Sequence, residues 1–251
     1  MSELTNNQPD AAPADVIAAN VAAVRGRIAS ACERAGRDAA EVRLLPVSKT
    51  HPVEALVAAH AAGIDRFGEN RVQELVAKAE LFDPALGIEF ALIGPLQSNK
   101  AGRAVEWVAE FQALDSLKLA ANLDRRLQAL GRSLDVLVEV NTSGESTKFG
   151  LAPDDVLSFA AEMGAFDSLN VRGLMTIAIP SPDHKQVAAC FEMLRGLRDR
   201  LRDDQVAGSD WPELSMGMSG DFELAIEHGA TCVRVGTAIF GARRYPAAGL
   251  S

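Results

Sequence analysis

Lys49 closes an apolar run, VRLLPVSK (42–49), and far downstream the chain carries two glycine-punctuated segments, LSMGMSGD (214–221) and VRVGTAIFGAR (233–243). A lysine at the C-terminal mouth of a strand is placed to attack an aldehyde. Glycine, serine and threonine opening two late helices are placed to hold a phosphate through backbone N–H groups and hydroxyls, with no basic residue required. Together they point to an aldehyde that carries a phosphate.

Each of these residues also has a plainer reading. A lysine beside a strand is ordinarily a solvated gatekeeper. Here it follows mostly apolar residues and precedes Thr50, His51 and Pro52, and a desolvated barrel mouth favours the neutral amine that attack requires. Ser219, Gly236 and Thr237 could be mere turn residues, but two such clusters in the last two turns suit a phosphate. Arg234 alternates with Cys232 and Gly236, so the three share a face. An arginine there either forms a structural ion pair, with Glu69 or Glu139, or donates to a cofactor ring nitrogen. Because arginine only donates, that nitrogen would stay unprotonated and the ring would be a poor electron sink.

The elements that must position these residues alternate. Strand-like runs fall at 42–49, 66–69, 89–94, 111–115, 134–140, 170–177, 213–216 and 232–236. Segments with helical spacing fall between them at 52–62, 70–81, 98–109, 116–130, 153–165, 183–204 and 219–229, after an amphipathic stretch at about 15–35. Eight βα units imply right-handed parallel crossovers that close into a single (β/α)8 TIM barrel with an additional N-terminal helix. An open doubly wound sheet is the alternative. Residues 1–14 read as a disordered N-terminus and 15–251 as one domain. Chemistry in a barrel collects at the C-terminal ends of the strands. That rim holds Lys49, Glu69, Asn70, the run 94–100, Asn141, Met175, Thr176, Ser219 and the run 234–237.

Composition narrows the class. With a net charge of −9 over 251 residues, basic residues are scattered among acids, which argues against nucleic acid as a partner. No apolar stretch reaches the roughly 18 residues of a membrane span and the N-terminus is polar, so a cytoplasmic protein is expected. Cys32, Cys190 and Cys232 are too widely spaced for a disulfide framework or a zinc site and read as buried thiols; no metal is expected. Pyridoxal 5′-phosphate (PLP) is then the obvious phosphorylated aldehyde. A barrel enzyme acting on another phosphorylated metabolite without a cofactor remains open.

SKT at 48–50, FGENRVQE at 67–74, IGPLQSNK at 93–100, RGLMTI at 172–177, LSMGMSGDFELAIEHGAT at 214–231 and VRVGTAIFGAR at 233–243 resemble the pyridoxal phosphate homeostasis protein family, over nearly the whole chain from about Val16 to Tyr245. The resemblance implies the barrel also found as the N-terminal domain of alanine racemase, with PLP held as a Schiff base on Lys49. It implies phosphate contacts at Ser219, Gly236 and Thr237, Arg234 at the pyridine nitrogen and Asn70 beside the ring, and Met218 completes the expected cofactor-binding set. It further implies a role in intracellular vitamin B6 balance without established catalytic turnover, hence not an enzyme. Other B6 vitamers as ligands, a monomeric state and transient contacts with PLP-dependent enzymes are expected. Ala91 stands where a histidine is frequent and Gly220 where Asp or Ala is common, which puts only the tuning of the rim in question. The alternative is a PLP-dependent amino-acid racemase. Its catalytic relatives place a tyrosine opposite the lysine, whereas Tyr245 is this chain's only tyrosine and lies in a Pro/Ala/Gly tail.

Overall fold

The short apolar runs are separated by helices long enough to carry the chain back across a sheet, so neighbouring strands can only run parallel. In the computed structural model, which describes residues 12–145 and 148–242, the strands are β1 (Arg43–Pro46), β2 (Arg66–Glu69), β3 (Glu89–Leu92), β4 (Val108–Leu114), β5 (Leu134–Glu139), β6 (Leu169–Met175), β7 (Glu213–Ser215) and β8 (Cys232–Val235). They form one sheet in the order β1-β8-β7-β6-β5-β4-β3-β2, every ladder parallel. The two ends of that order meet at a single bridge, Val47 to Gly68, where the Ser48 amide donates to the Gly68 carbonyl at 3.0 Å. The result is the closed α/β barrel that the alternation of elements requires.

The outer layer is α2 (Val53–Ala61), α3 (Val72–Ala79), α4 (Ala101–Trp107), α5 (Leu117–Leu130), α6 (Val156–Glu162), α7 (His184–Asp203), α8 (Phe222–Glu227) and the single turn α9 (Thr237–Phe240), preceded in the chain by α1 (Ala14–Arg34). α1 buries Ile17, Val21, Val24 and Ile28, a three-to-four spacing that makes one apolar stripe. That stripe packs on α2, α8 and α9, and the Asn20 amide donates to the Ile239 carbonyl at 2.9 Å. α5 shows how local residues set the boundaries: the Ser116 hydroxyl accepts from the Leu119 amide at 3.4 Å, and Gly131 ends the helix with φ +62°. All three cysteines are buried and free. No helix among the described residues is long and apolar enough to cross a membrane. Residues 1–11 of the expected disordered segment, and Tyr245, lie outside the described residues.

Three expectations are corrected. β4 starts at Val108 rather than 111, and the helix expected at 98–109 is a 3-10 turn, Ser98–Lys100, followed by α4. The reason lies in Glu110, whose buried carboxylate is needed inside the barrel by Arg43 and Arg66, at 2.9 and 2.6 Å. Lys49 does not end β1; the ladder stops at Pro46 and Lys49 sits in the turn beyond it. Ala91 is not a rim residue. It is fully buried among Leu45, Cys232 and Ile93 in the barrel interior, so a larger residue there would alter interior packing.

Candidate functional site

A cavity of about 500 Å³ opens at the C-terminal ends of the strands. Its lining includes all seven expected residues, Lys49, Asn70, Met218, Ser219, Arg234, Gly236 and Thr237, drawn from the loops after β1, β2 and β7 and from β8 with the turn that follows it. Glu139, Ile93, Gly94, Pro95, His51, Phe149 and Ile177 complete much of the wall. Other rim candidates do not line it. Of the run 94–100, only Gly94 and Pro95 reach the cavity, and Glu69, Asn141, Met175 and Thr176 are absent from the lining.

The loops after β7 and β8 converge. The Gly236 amide donates to the Ser219 hydroxyl at 3.3 Å, and Gly236 precedes α9, so a hydroxyl and the amide end of a helical turn face one place. A Cβ on Gly236 would stand 3.2 Å from the Val47 carbonyl oxygen, which is why the smallest residue serves there. Gly217 turns the chain after β7 with φ +92°, where a Cβ would meet Ala225 and Phe222. On the opposite wall, a Cβ on Gly94 would fall against the Asn70 carbonyl, so the backbones carrying these two residues approach closely.

Arg234 forms the buried floor. Its Nη1 donates to the Ser215 hydroxyl and its Nη2 to the Thr176 carbonyl, both at 2.7 Å. The Ser215 hydroxyl donates to the Gln112 Oε1 at 2.7 Å, and the Gln112 amide donates to Glu110. Neither ion pair expected for Arg234 forms among the described residues. Glu69 faces the helix layer instead, and Arg234 is held by neutral acceptors. Burial lowers the guanidinium's pKa, opposed by the carboxylates of Glu139 and Asp221. Glu139, at the end of β5, is nearly buried and has no ion-pair partner among the described residues. Burial, reinforced by Asp115 and opposed by Arg234, pushes its pKa up to about 7.

Lys49 lies in a tight turn in which the His51 amide donates to the Ser48 carbonyl at 3.0 Å and Thr50 takes φ +66°. The Ser48 hydroxyl donates to Glu69 at 2.6 Å. Lys78, from α3, donates to the Ser48 carbonyl at 2.7 Å, to Glu69 at 2.6 Å and to Glu74 at 2.8 Å. Burial raises the pKa of Glu69, against the pull of Lys78. Sequence reasoning missed Lys78, whose only signal is its i,i+4 spacing from Glu74, and placed Glu139 only as a partner of Arg234.

The arrangement can present an amine, a fixed guanidinium donor and a hydroxyl-and-amide cradle to one ligand. Comparison with known proteins shows which family the chain resembles. Residues 19–244 match the family described as alanine racemase, N-terminal domain. The pyridoxal phosphate homeostasis protein of Pseudomonas aeruginosa is 46% identical over 232 residues, covering 92% of this chain and 97% of its own. Among solved structures, PipY of Synechococcus elongatus with PLP bound has a TM-score of 0.79 and 36% identity, covering 90% of this chain and 100% of that one. A protein from Bifidobacterium adolescentis described as unknown has a TM-score of 0.88 and 42% identity, covering 95% and 100%.

Proposed function

Because the chain belongs to the pyridoxal phosphate homeostasis protein family, built on the alanine racemase N-terminal domain fold, we propose that its cavity holds pyridoxal 5′-phosphate and that the protein maintains the intracellular balance of this B6 vitamer. The observation that carries this reading is the convergence of Lys49, Ser219, Arg234, Gly236 and Thr237 on one cavity. When bound, PLP supplies an electrophilic aldehyde on an electron-withdrawing ring. Lys49 is assigned the covalent bond to the aldehyde carbon as a Schiff base. The Ser219 and Thr237 hydroxyls and the Gly236 amide are assigned the phosphate, Arg234 the ring nitrogen, and Asn70 and Met218 the sides of the ring. The residues fit the group: the buried Arg234 can only donate, and the cradle needs no basic residue to hold a phosphate.

The reading is of a carrier rather than a catalyst. A ring nitrogen facing a guanidinium is not protonated, which weakens the ring as an electron sink. One observation favours the racemase reading: Glu139 shares the cavity with Lys49 and supplies a second ionisable group there. Exposed Phe149, Ile177 and Met218 at the mouth support contact with PLP-dependent enzymes that receive the cofactor.

The test is an absorbance scan of the purified protein with PLP, followed by borohydride trapping and peptide mapping. The adduct is expected on Lys49 and is expected to vanish in Lys49→Ala. An adduct retained on another lysine would overturn the assignment.

A further inference from the structure

Ser48 and Thr50, the two neighbours of Lys49, are both held by one cluster of charged side chains on the side of the turn facing α3. Lys78 Nζ, on a side chain only 8% exposed, bonds the Ser48 carbonyl, Glu69 and Glu74 within 2.8 Å. Glu69 accepts the Ser48 hydroxyl at 2.6 Å, and Glu74 accepts the Thr50 amide at 2.5 Å. Thr50 needs this support. It is β-branched yet sits at φ +66°, a left-handed conformation that persists in such residues only where the surroundings over-determine it. Glu69 is fully buried and its Oε2 has no hydrogen-bond partner among the described residues, so the cluster is no optimised stabilising pair. Its bonds converge on the turn that carries Lys49.

We propose that Lys78, with Glu69 and Glu74, is a positioning device that holds the strained Ser48–Thr50 turn so that the Lys49 amine is delivered into the cavity. None of the three lines the cavity that contains Lys49, so they act through the turn and not on the ligand. The inference rests on the reading of Lys49 as the residue that bonds the aldehyde.

The experiment compares two ligands that share ring and phosphate. PLP reports delivery of the amine, through the rate of covalent adduct formation followed by absorbance. Pyridoxine 5′-phosphate lacks the aldehyde, and its equilibrium affinity reports the rest of the pocket. The double variant Lys78→Met with Glu69→Gln removes both charges together, which a fold tolerates better than leaving one charge buried alone. Adduct formation is expected to slow about tenfold or more, the scale of losing one hydrogen bond to a charged group, while pyridoxine 5′-phosphate affinity stays within about twofold. Glu74→Ala, at a partly exposed side chain, is expected to show the same split in smaller measure, and it carries the test if the double variant does not fold. An unchanged adduct rate, or a parallel fall in both readouts in folded protein, would overturn the proposal. Peptide mapping of the wild-type adduct separates the two readings: an adduct on another lysine removes the Lys49 assignment, whereas an adduct on Lys49 with unaltered variant rates removes only the positioning role.

Discussion

The Arg234 guanidinium and the Ser215 hydroxyl stand 2.7 Å apart beneath the cavity, and the hydroxyl gives its own proton to Gln112. Each link runs one way: arginine donates to serine, serine to the Gln112 oxygen, and the Gln112 nitrogen to Glu110, which is itself gripped by Arg43 and Arg66. A hydrogen-bonded chain therefore runs through the barrel interior, from the ion pairs at the start of the strands to the floor of the site.

Ser215→Ala breaks that chain at its one hydroxyl and leaves a buried guanidinium donor without its acceptor. The loss is expected to be about 1.5–3 kcal/mol of stability, read as a lower urea midpoint with an unchanged slope. An unaltered midpoint would mean the bond contributes nothing net.

Ser219→Ala combined with Thr237→Val removes both hydroxyls assigned to the phosphate. Each bond to a charged group contributes about 1.5–3 kcal/mol, so PLP affinity is expected to weaken at least about tenfold per hydroxyl. Equilibrium titration of both proteins measures it, and an unchanged affinity would place the phosphate elsewhere.

Glu139 gives stability a pH dependence of defined sign. Its folded pKa is raised to about 7, above the ordinary 4.5. Between those values the fold keeps a proton that the unfolded chain has released, so unfolding free energy falls as pH rises from 4.5 to 7. The loss is at most about 3 kcal/mol. Glu139→Gln is expected to match the wild type near pH 4.5 and to exceed it at pH 8 in urea denaturation; equal curves at both pH values would contradict the shift.

Racemisation is expected to be absent at enzymatic rates. Proton exchange at Cα of L-alanine in D₂O, followed by NMR with catalytic amounts of PLP-loaded protein, should show no repeated turnover. Turnover of several per minute that disappears in Lys49→Ala would make the racemase reading correct, with Glu139→Gln then the variant that tests the second base.

How legible the fold was depended on whether periodicity had a competitor. RFGE at 66–69 is bounded on both sides by turn and helix signals, and β2 occupies those residues. Val108 and Ala109 continue a helical spacing, which makes β4 read as starting late; the ladder partners Ala91 and Asp135, with Arg43 and Arg66 across the barrel, show that Glu110 belongs to a strand. The cavity's chemistry was legible because glycines and hydroxyls at strand ends mark a cradle. Lys78 was not, since a lysine on a helix reads as solvated and its burial comes from Ser48 and Glu69, which precede it by 30 and 9 residues. Ala91 was misplaced because its position in β3 decides inward from upward, and no residue count near the strand end reveals that.

The barrel's closure has a consequence for how a ligand would act on the fold. β1 and β2 share no ladder and meet at one bridge, Val47 to Gly68. Lys49 lies two residues beyond one half of that bridge and Asn70 two residues beyond the other. A molecule bonded to Lys49 and resting on Asn70 is a staple across this seam of the cylinder, and binding free energy then opposes its opening. Native-state hydrogen exchange is expected to show loading slow the Ser48 amide most, while the β5–β6 amides, already held by a full ladder, change little.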